Sequence, residues 1–197
     1  MWLRRKTGAV EWLVVGLGNP GPKYAETRHN AGVGALTALA EKTGVSVSRA
    51  KFRSLCGEGE IGGKKCLLMF PQTYMNDSGL AVAEAMRFYK LTPERVLVFS
   101  DDVSLSVGTV RVRRKGSDGG QKGLRSITEL IGSEDFPRIK IGVGQKPHPQ
   151  MELADWVLSK FSTADKKLLA PAYEAAAAAA ELVIAGDIEG AMNRYSR

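Results

Sequence analysis

The chain has 197 residues, a formal net charge of +7, and 44% hydrophobic and 25% charged residues, which is typical of one soluble globular domain. Its longest apolar runs (WLVVGL, CLLMF and AAAAAA) are far shorter than the ~20 residues that span a bilayer. The basic N-terminus, MWLRRKTGAVEW, is not followed by a signal-length apolar stretch. We therefore expect neither a secreted nor a membrane protein, and predict a cytoplasmic location.

The first half of the chain alternates between strand and helix patterns. EWLVVGLG predicts a buried strand, and NAGVGALTALAEKTG predicts a helix with Asn30 as N-cap and Gly44 at its end. AKFRSLCGEGEIGGKKCLLMF predicts a hairpin that turns at Gly62 and Gly63. NDSGLAVAEAMRFYK predicts a second helix, opened by an Asn-Asp-Ser capping cluster.

The second half continues the alternation. RVLVFS, GTVRVRRK and RIKIGVG predict strands, and QKGLRSITELIG predicts a helix after the loop GSDGG. LADWVLSKF fits either pattern, and TADKKLLAPAYEAAAAAAELVIAG predicts a helix broken near Pro171. The fold class is therefore α/β: a single domain over residues 12–197, with a twisted mixed β-sheet flanked by helices on both faces. Residues 1–11 are predicted to be an N-terminal extension.

The two cysteines are predicted to be reduced and partly buried. The hairpin register places Cys66 opposite Gly59 and Cys56 opposite Met69, so the thiols are out of register for a disulfide. No C-x-x-C motif or His/Cys cluster indicates a zinc site.

Positive charge is concentrated between Arg111 and Lys146. Nine basic and four acidic residues give this segment of 36 residues a net charge of +5. The concentration indicates a surface for a polyanion, with a phosphate backbone as the obvious partner. A purely solubilising face would have the same composition, so composition alone leaves both interpretations open.

The stretch GLGNPG, residues 16 to 21, matches the G-x-G-x-x-G pattern of a dinucleotide-binding loop. Such a loop runs from a strand directly into a helix. Here Pro20 and Pro22 interrupt the helix, which is predicted to begin only near Asn30. We therefore reject a dinucleotide site.

Polar side chains follow three of the predicted strands. Asn19 and His29 follow the first strand, Asn76 follows CLLMFPQTYM, and Asp101 and Asp102 follow RVLVFS. Loops at strand ends carry the sites of α/β domains, and an imidazole with a carboxylate and an amide can activate water and stabilise an oxyanion. The alternative is structural, with asparagines that cap helices and an aspartate that ends a strand. His148, between two prolines, is expected to be a solvated loop residue.

Four blocks carry a family resemblance: VVGLGNPGPKYAETRHNAG, PQTYMNDSG, VFSDDVSLSVGTVRVRRKGSDGGQKGLRSI and FPRIKIGVG. In this order they resemble the bacterial peptidyl-tRNA hydrolase family, over nearly the whole chain from about Trp12. The resemblance implies hydrolysis of the ester between a peptide and the 3′-terminal ribose of tRNA. This reaction recycles tRNA from stalled or aborted translation.

The resemblance also implies roles for individual residues. His29 is the base that activates water, Asp101 orients it, and Asn19 positions the ester carbonyl and stabilises its oxyanion. The other residues implied to bind the substrate are Tyr24, Tyr74, Met75 and Asn76 in the cleft, Lys122 as a possible contact, and Arg113, Arg138 and Lys140 on acceptor-stem phosphates. The reaction needs no metal and no cofactor, and the partner is the acceptor stem and 3′ end of peptidyl-tRNA, bound by a monomer.

The chain departs from the family pattern at several positions. Gln121 and Lys122 replace the His-Asn pair of the common GGHNG motif, and Lys122 cannot accept a hydrogen bond as asparagine can. Ser100 stands where histidine is common, and Ser104 where a second acidic residue is frequent.

Two alternative functions remain open from the sequence. A non-enzymatic RNA-binding protein of the same fold would keep the basic face, but the set of His29, Asp101 and Asn19 argues against it. A general α/β esterase for small molecules would not need the basic segment.

Overall fold

A computed structural model describes residues 9–196, so most of the predicted extension over residues 1–11 lies outside the described residues, and that boundary stays a prediction. The strands are β1 (Trp12–Gly16), β2 (Arg49–Lys51), β3 (Ser54–Ile61), β4 (Lys64–Pro71), β5 (Val96–Asp102), β6 (Val110–Arg113) and β7 (Arg138–Gly142). The helices are α1 (Ala31–Thr43), α2 (Ser78–Tyr89), α3 (Lys122–Ile131), α4 (Leu153–Val157), α5 (Thr163–Ala185) and α6 (Ile188–Tyr195). Short 3₁₀ turns cover Pro22–Tyr24, Arg28–Asn30, Met75–Asp77 and Pro93–Arg95.

The strands form one mixed sheet in the order β2-β3-β4-β1-β5-β7-β6. The central neighbours β4, β1, β5 and β7 run parallel, whereas β2, β3 and β6 pair antiparallel. Alternating side chains of the strands enter two apolar cores. Val14, Leu68 and Phe99 pack with α1, α5 and α6 on one face, and Val15, Met69 and Val98 pack with α2 and α3 on the other. The predicted α/β class, mixed sheet and two-sided helical cover are confirmed.

The predicted hairpin is β3 and β4, which turn at Gly62 and Gly63, both with positive φ. Its register pairs Cys56 with Met69 and Cys66 with Gly59, as the sequence predicts. Both thiols are free and buried, and burial raises the pKa of Cys56 to about 11 and that of Cys66 to about 12. Neither thiol is therefore prone to ionise near neutral pH.

The predicted helix break near Pro171 is wrong, because α5 is continuous through it. Pro171 is exposed, so the helix carbonyl that loses its partner can be hydrated, while Leu169 and Ala172 on either side are buried in the core. The 23 residues of α5 have the length and mean hydropathy (1.5) of a membrane span. Its buried face, with Ala176, Ala180 and others, packs in the core, which also accounts for this apolar composition.

Neither predicted N-cap works as expected. The Asn30 side chain makes no cap bond to α1, and Asp77, which precedes α2, makes none either. Ser78 Oγ instead donates to the carbonyl of Met75, at 2.8 Å. A 3₁₀ turn precedes both α1 and α2, and its first carbonyl accepts a hydrogen bond from the first amide of the helix, Arg28 from Ala31 and Met75 from Ser78. The side-chain amide of Asn30 is therefore free to make a tertiary contact.

The carboxyl ends of the parallel strands meet at one edge of the sheet, where α/β proteins form their sites. α1 begins directly against this edge. A Cβ added to Gly32, in its first turn, would lie 2.4 Å from the Phe99 carbonyl oxygen and 2.7 Å from that of Leu17. Only glycine permits so close an approach of the helix to β1 and β5.

Candidate active site

His29 lies in the 3₁₀ turn that leads from the loop after β1 into α1. Its two neighbours in sequence, Arg28 and Asn30, are both buried. The turn is tied to the chain before α5, because Thr27 pairs with Lys160 and the Arg28 amide donates to the carbonyl of Ser159 at 3.0 Å. The turn that carries His29 is therefore held in place by these tertiary contacts.

Arg28 anchors this turn through its guanidinium. The group stacks 3.8 Å from the ring centroid of Trp156 and forms a 3.0 Å ion pair with Asp165 at the start of α5. It also donates to the carbonyl of Val143, at 3.0 Å. Burial raises the pKa of Asp165, but hydrogen bonds from Ser162 and Arg28 outweigh it, so this pKa is lowered overall. Folding stability from this carboxylate is therefore present above the unfolded-state pKa of aspartate and is lost at lower pH.

Replacing Arg28 with alanine should lower the free energy of unfolding by about 3 kcal/mol, because the variant loses a largely buried ion pair and the stacking on Trp156. Urea denaturation at neutral pH measures this change. The matched control is Arg49→Ala, which removes an exposed ion pair with Glu58 and should cost below about 1 kcal/mol. Equal stability of the two variants would contradict the anchoring role of Arg28.

His29, Asp101 and Gln121 form a hydrogen-bonded chain at the ends of β5 and α3. His29 Nδ1 lies 2.9 Å from Asp101 Oδ2, and Gln121 Nε2 donates to Asp101 Oδ1 at 2.9 Å. The Asp101 residue is 4% exposed and His29 is 8% exposed. An ionised carboxylate only accepts hydrogen bonds, so Nδ1 of His29 holds the proton and Nε2 is the basic nitrogen.

Asn19 is held in a fixed orientation beside this chain. Its backbone amide donates to Asn30 Oδ1 and its carbonyl accepts from Asn30 Nδ2, both at 2.9 Å. Its side-chain oxygen accepts from the Met75 amide at 2.8 Å. Because the Met75 N–H requires an acceptor, the Asn19 Oδ1 position is fixed and Nδ2 is the remaining donor. A Cβ on Gly18 would lie 2.8 Å from Asn30 Cγ, so glycine is needed at this position.

These residues line one cleft of about 610 Å³, a volume within the usual range for small-molecule sites. The predicted residues that the structure brings together along it are Asn19, Tyr24, His29, Tyr74, Met75, Asn76, Asp101, Lys122 and Lys140. Tyr74 is 61% exposed at the rim. Leu153, Val157 and Leu158, from α4 and its C-terminal end, form an apolar wall.

Known proteins resemble this chain over nearly its whole length. The family model for peptidyl-tRNA hydrolase matches residues 13–197. The chain belongs to the peptidyl-tRNA hydrolase family. It is 49% identical over 186 residues to the peptidyl-tRNA hydrolase of Agathobacter rectalis, covering 94% of this chain and 100% of the relative. The corresponding protein of Caldanaerobacter subterraneus subsp. tengcongensis is 48% identical over 185 residues, covering 94% and 99%.

A solved structure shows the same fold. The crystal structure of peptidyl-tRNA hydrolase from Acinetobacter baumannii has a TM-score of 0.88 and 35% identity, covering 96% of this chain and 98% of that chain. The predicted family is confirmed, and its function is the hydrolysis of peptidyl-tRNA.

In this peptidyl-tRNA hydrolase family member, the predicted phosphate-binding residues lie in different environments. Arg113 is half-buried on the edge strand β6. Lys140 reaches the cleft, where its Nζ lies 3.1 Å from Asp102. Burial raises the pKa of Asp102, but hydrogen bonds from Ser104 and the charge of Lys140 outweigh it, so this pKa is lowered overall.

The predicted phosphate contact of Arg138 is wrong, because this residue is 1% exposed. Its guanidinium donates to the carbonyls of Ser117, Glu134 and Phe136 at 3.0 to 3.4 Å. Burial lowers its pKa to about 10. Arg138 therefore holds the segments before and after α3 together.

Sequence reasoning missed three residues that build the site: Arg28, Asn30 and Gln121. Arg28 and Asn30 flank His29, so their place in the motif TRHN was a usable signal. Gln121 was noted only as a departure from the family pattern, and nothing local in GSDGGQKG indicates that its amide reaches the end of β5.

Proposed function

We propose that this chain hydrolyses the ester that links a peptide to the 3′-terminal ribose of tRNA. The observation that carries the proposal is the 2.9 Å contact of His29 with buried Asp101 at the wall of the cleft, with the Asn19 amide fixed beside it. This combination of base, orienting carboxylate and amide donor suits attack of water on an ester.

His29 is the proposed general base. Asp101 keeps the proton on Nδ1, so Nε2 can take a proton from a water molecule in the cleft. The resulting hydroxide attacks the ester carbonyl carbon, and the imidazolium that forms is stabilised by the Asp101 carboxylate. No covalent intermediate with the protein is needed.

Asn19 is the proposed oxyanion donor. Attack converts the carbonyl oxygen into an oxyanion, and Nδ2 of Asn19 can donate to it. The tetrahedral intermediate then expels the ribose oxygen, which takes the proton from His29. The products are a tRNA whose esterified ribose hydroxyl is restored and a peptide carboxylic acid, which loses its proton to solvent.

The remaining cleft residues are proposed to hold the substrate on either side of the ester. Tyr24, Tyr74, Met75 and Asn76 provide aromatic, apolar and amide surfaces. Lys122 at the start of α3 can contact the terminal phosphate or ribose. Arg113 on β6 and Lys140 on β7 extend positive charge from the cleft towards an edge of the sheet, where the acceptor stem is proposed to lie.

Arg113→Ala should weaken tRNA binding and reduce the slope of log K against log salt by about one, because one phosphate contact is lost. Fluorescence titration with deacylated tRNA at several salt concentrations measures both quantities. The control is Arg49→Ala on β2, at the opposite edge of the sheet, which should leave the slope unchanged. Equal slopes for both variants would refute the acceptor-stem assignment.

The activity itself is tested with N-acetyl-aminoacyl-tRNA and with unblocked aminoacyl-tRNA. We expect cleavage of the blocked substrate and little cleavage of the free one, because only the blocked substrate carries a peptide-like amide for contacts such as Asn76. If the pure, folded protein binds tRNA but cleaves neither ester, it is an RNA-binding protein and the proposal fails. Preferential cleavage of small-molecule esters would indicate a general esterase.

The proposed enzyme acts as a monomer in the cytoplasm. One chain provides His29, Asp101 and Asn19 to the same cleft, which supports a monomeric enzyme. Light scattering coupled to size-exclusion chromatography measures the oligomeric state, and a dimer at assay concentration would correct this part of the proposal.

A further inference from the structure

Gln121 connects the start of α3 to the proposed catalytic pair. Its Oε1 accepts from the Leu124 amide at 2.8 Å and so caps α3. Its Nε2 donates to Asp101 Oδ1 at 2.9 Å and lies 3.3 Å from Met75 Sδ. One amide side chain therefore contacts a helix end, a buried carboxylate and the residue that fixes Asn19.

The orientation of this amide is determined by its partners. The Leu124 N–H can only donate, so the oxygen of Gln121 must face it and the NH₂ group must face Asp101. Asp101 consequently receives one donor on each oxygen, His29 on Oδ2 and Gln121 on Oδ1. The χ2 torsion of an aspartate, which sets the plane of its carboxylate, has a broad distribution when the carboxylate is unconstrained. A hydrogen-bond donor on each carboxylate oxygen restricts this torsion.

We propose that Gln121 is a positioning residue that fixes the plane of the Asp101 carboxylate and thereby the orientation of His29. This inference rests on the proposed function of His29 and Asp101. Its chemical basis is that a neutral N–H donor stabilises a buried carboxylate without adding a charge. Through Met75, whose amide binds Asn19, the same side chain couples the base to the oxyanion donor.

The other charged groups around Asp101 do not replace this contact. Asp102 is paired with Lys140, and Asp118 is paired with Arg125 and with the amide of Gly120. Lys122 and Glu152 line the cleft. Among the residues that the structure describes, His29 and Gln121 are the side chains that hydrogen-bond to the Asp101 carboxylate.

Gln121→Glu separates positioning from capping. Glutamate keeps an acceptor for the Leu124 amide, so α3 stays capped, but it loses the donor to Asp101 and adds a second carboxylate. We expect kcat to fall at least about tenfold at pH 7 with KM nearly unchanged. The acid limb of the pH–rate profile should move to higher pH, because added negative charge favours the protonated imidazole.

Gln121→Met is the companion variant, because it has a similar shape and loses both the donor and the cap. Positioning predicts a loss of kcat in both variants, whereas a capping role alone predicts a normal Gln121→Glu enzyme and a destabilised Gln121→Met protein. A Gln121→Glu enzyme with the wild-type kcat and pH profile would overturn the inference. If that variant does not fold, a folded Gln121→Met protein with wild-type kcat would overturn it as well.

The proton NMR signal of the His29 Nδ1–H gives a readout that does not depend on activity. In the wild type this N–H should be protected from exchange, and in Gln121→Glu its signal should broaden or shift. The cleavage assay and the NMR signal therefore test the two proposals separately. Absence of ester cleavage by the wild type refutes the proposed function, whereas an unchanged His29 Nδ1–H signal in Gln121→Glu refutes the positioning role.

Discussion

His29→Ala should lower kcat for N-acetyl-aminoacyl-tRNA by about a thousandfold, because a positioned general base typically contributes about 10² to 10⁴ in rate. Binding of tRNA should change little, since the basic residues proposed to hold the acceptor stem are on β6 and β7. Single-turnover cleavage measures the chemical step, and titration with deacylated tRNA measures binding separately.

The chain provides a matched control in its second histidine. His148 lies in an exposed loop, so His148→Ala should retain wild-type turnover. Circular dichroism should show that both variants are folded, because Gln121 still donates to Asp101 when His29 is absent. Near-normal turnover of folded His29→Ala would eliminate His29 as the base.

Asn19→Asp should reduce kcat by about 10² to 10³, the usual effect of losing one oxyanion donor. The substitution nearly preserves shape, and aspartate retains an oxygen that can accept from the Met75 amide. It replaces the Nδ2 donor by an anionic oxygen that repels the developing oxyanion. The same single-turnover assay measures the effect, with thermal denaturation to compare the folds.

Asn193→Asp is the control for the added negative charge, because Asn193 is exposed on α6. It should leave kcat unchanged. If Asn19→Asp loses stability but retains its turnover, Asn19 has only the structural role of linking Asn30 to Met75.

Local patterns predicted much of the fold. The glycine pair at residues 62 and 63 fixes a two-residue turn, and this turn sets the register of the whole hairpin, including both cysteines. Alternation on β6 likewise placed Val110 and Val112 in the core. These elements are determined by interactions between near neighbours in sequence.

Other features depend on what packs against a residue. Pro171 was predicted to break α5, but the buried residues on both sides of it keep the helix on the core. Arg138, in the strand RIKIG, was predicted from the family resemblance to contact phosphate. β7, however, lies between β5 and β6, and the residues around α3 cover Arg138.

The sequence predicted only part of the site, because some of its contacts also depend on tertiary packing. Motif residues after β1, β4 and β5 do meet at one cleft, because the carboxyl ends of parallel strands share an edge. The contact of Gln121 with Asp101 spans 20 residues and depends on the path of the intervening loop. The pattern of apolar and polar residues in the sequence does not indicate the path of this loop.

The close approach of Gly32 to β1 and β5 has a consequence for how the protein tolerates mutation. Main-chain atoms in contact at the start of α1 set the spacing between the turn of His29 and the end of β5. Substitutions of apolar side chains deeper in the core, such as the buried Leu36 and Leu39, are therefore expected to change the free energy of unfolding more than the catalytic geometry.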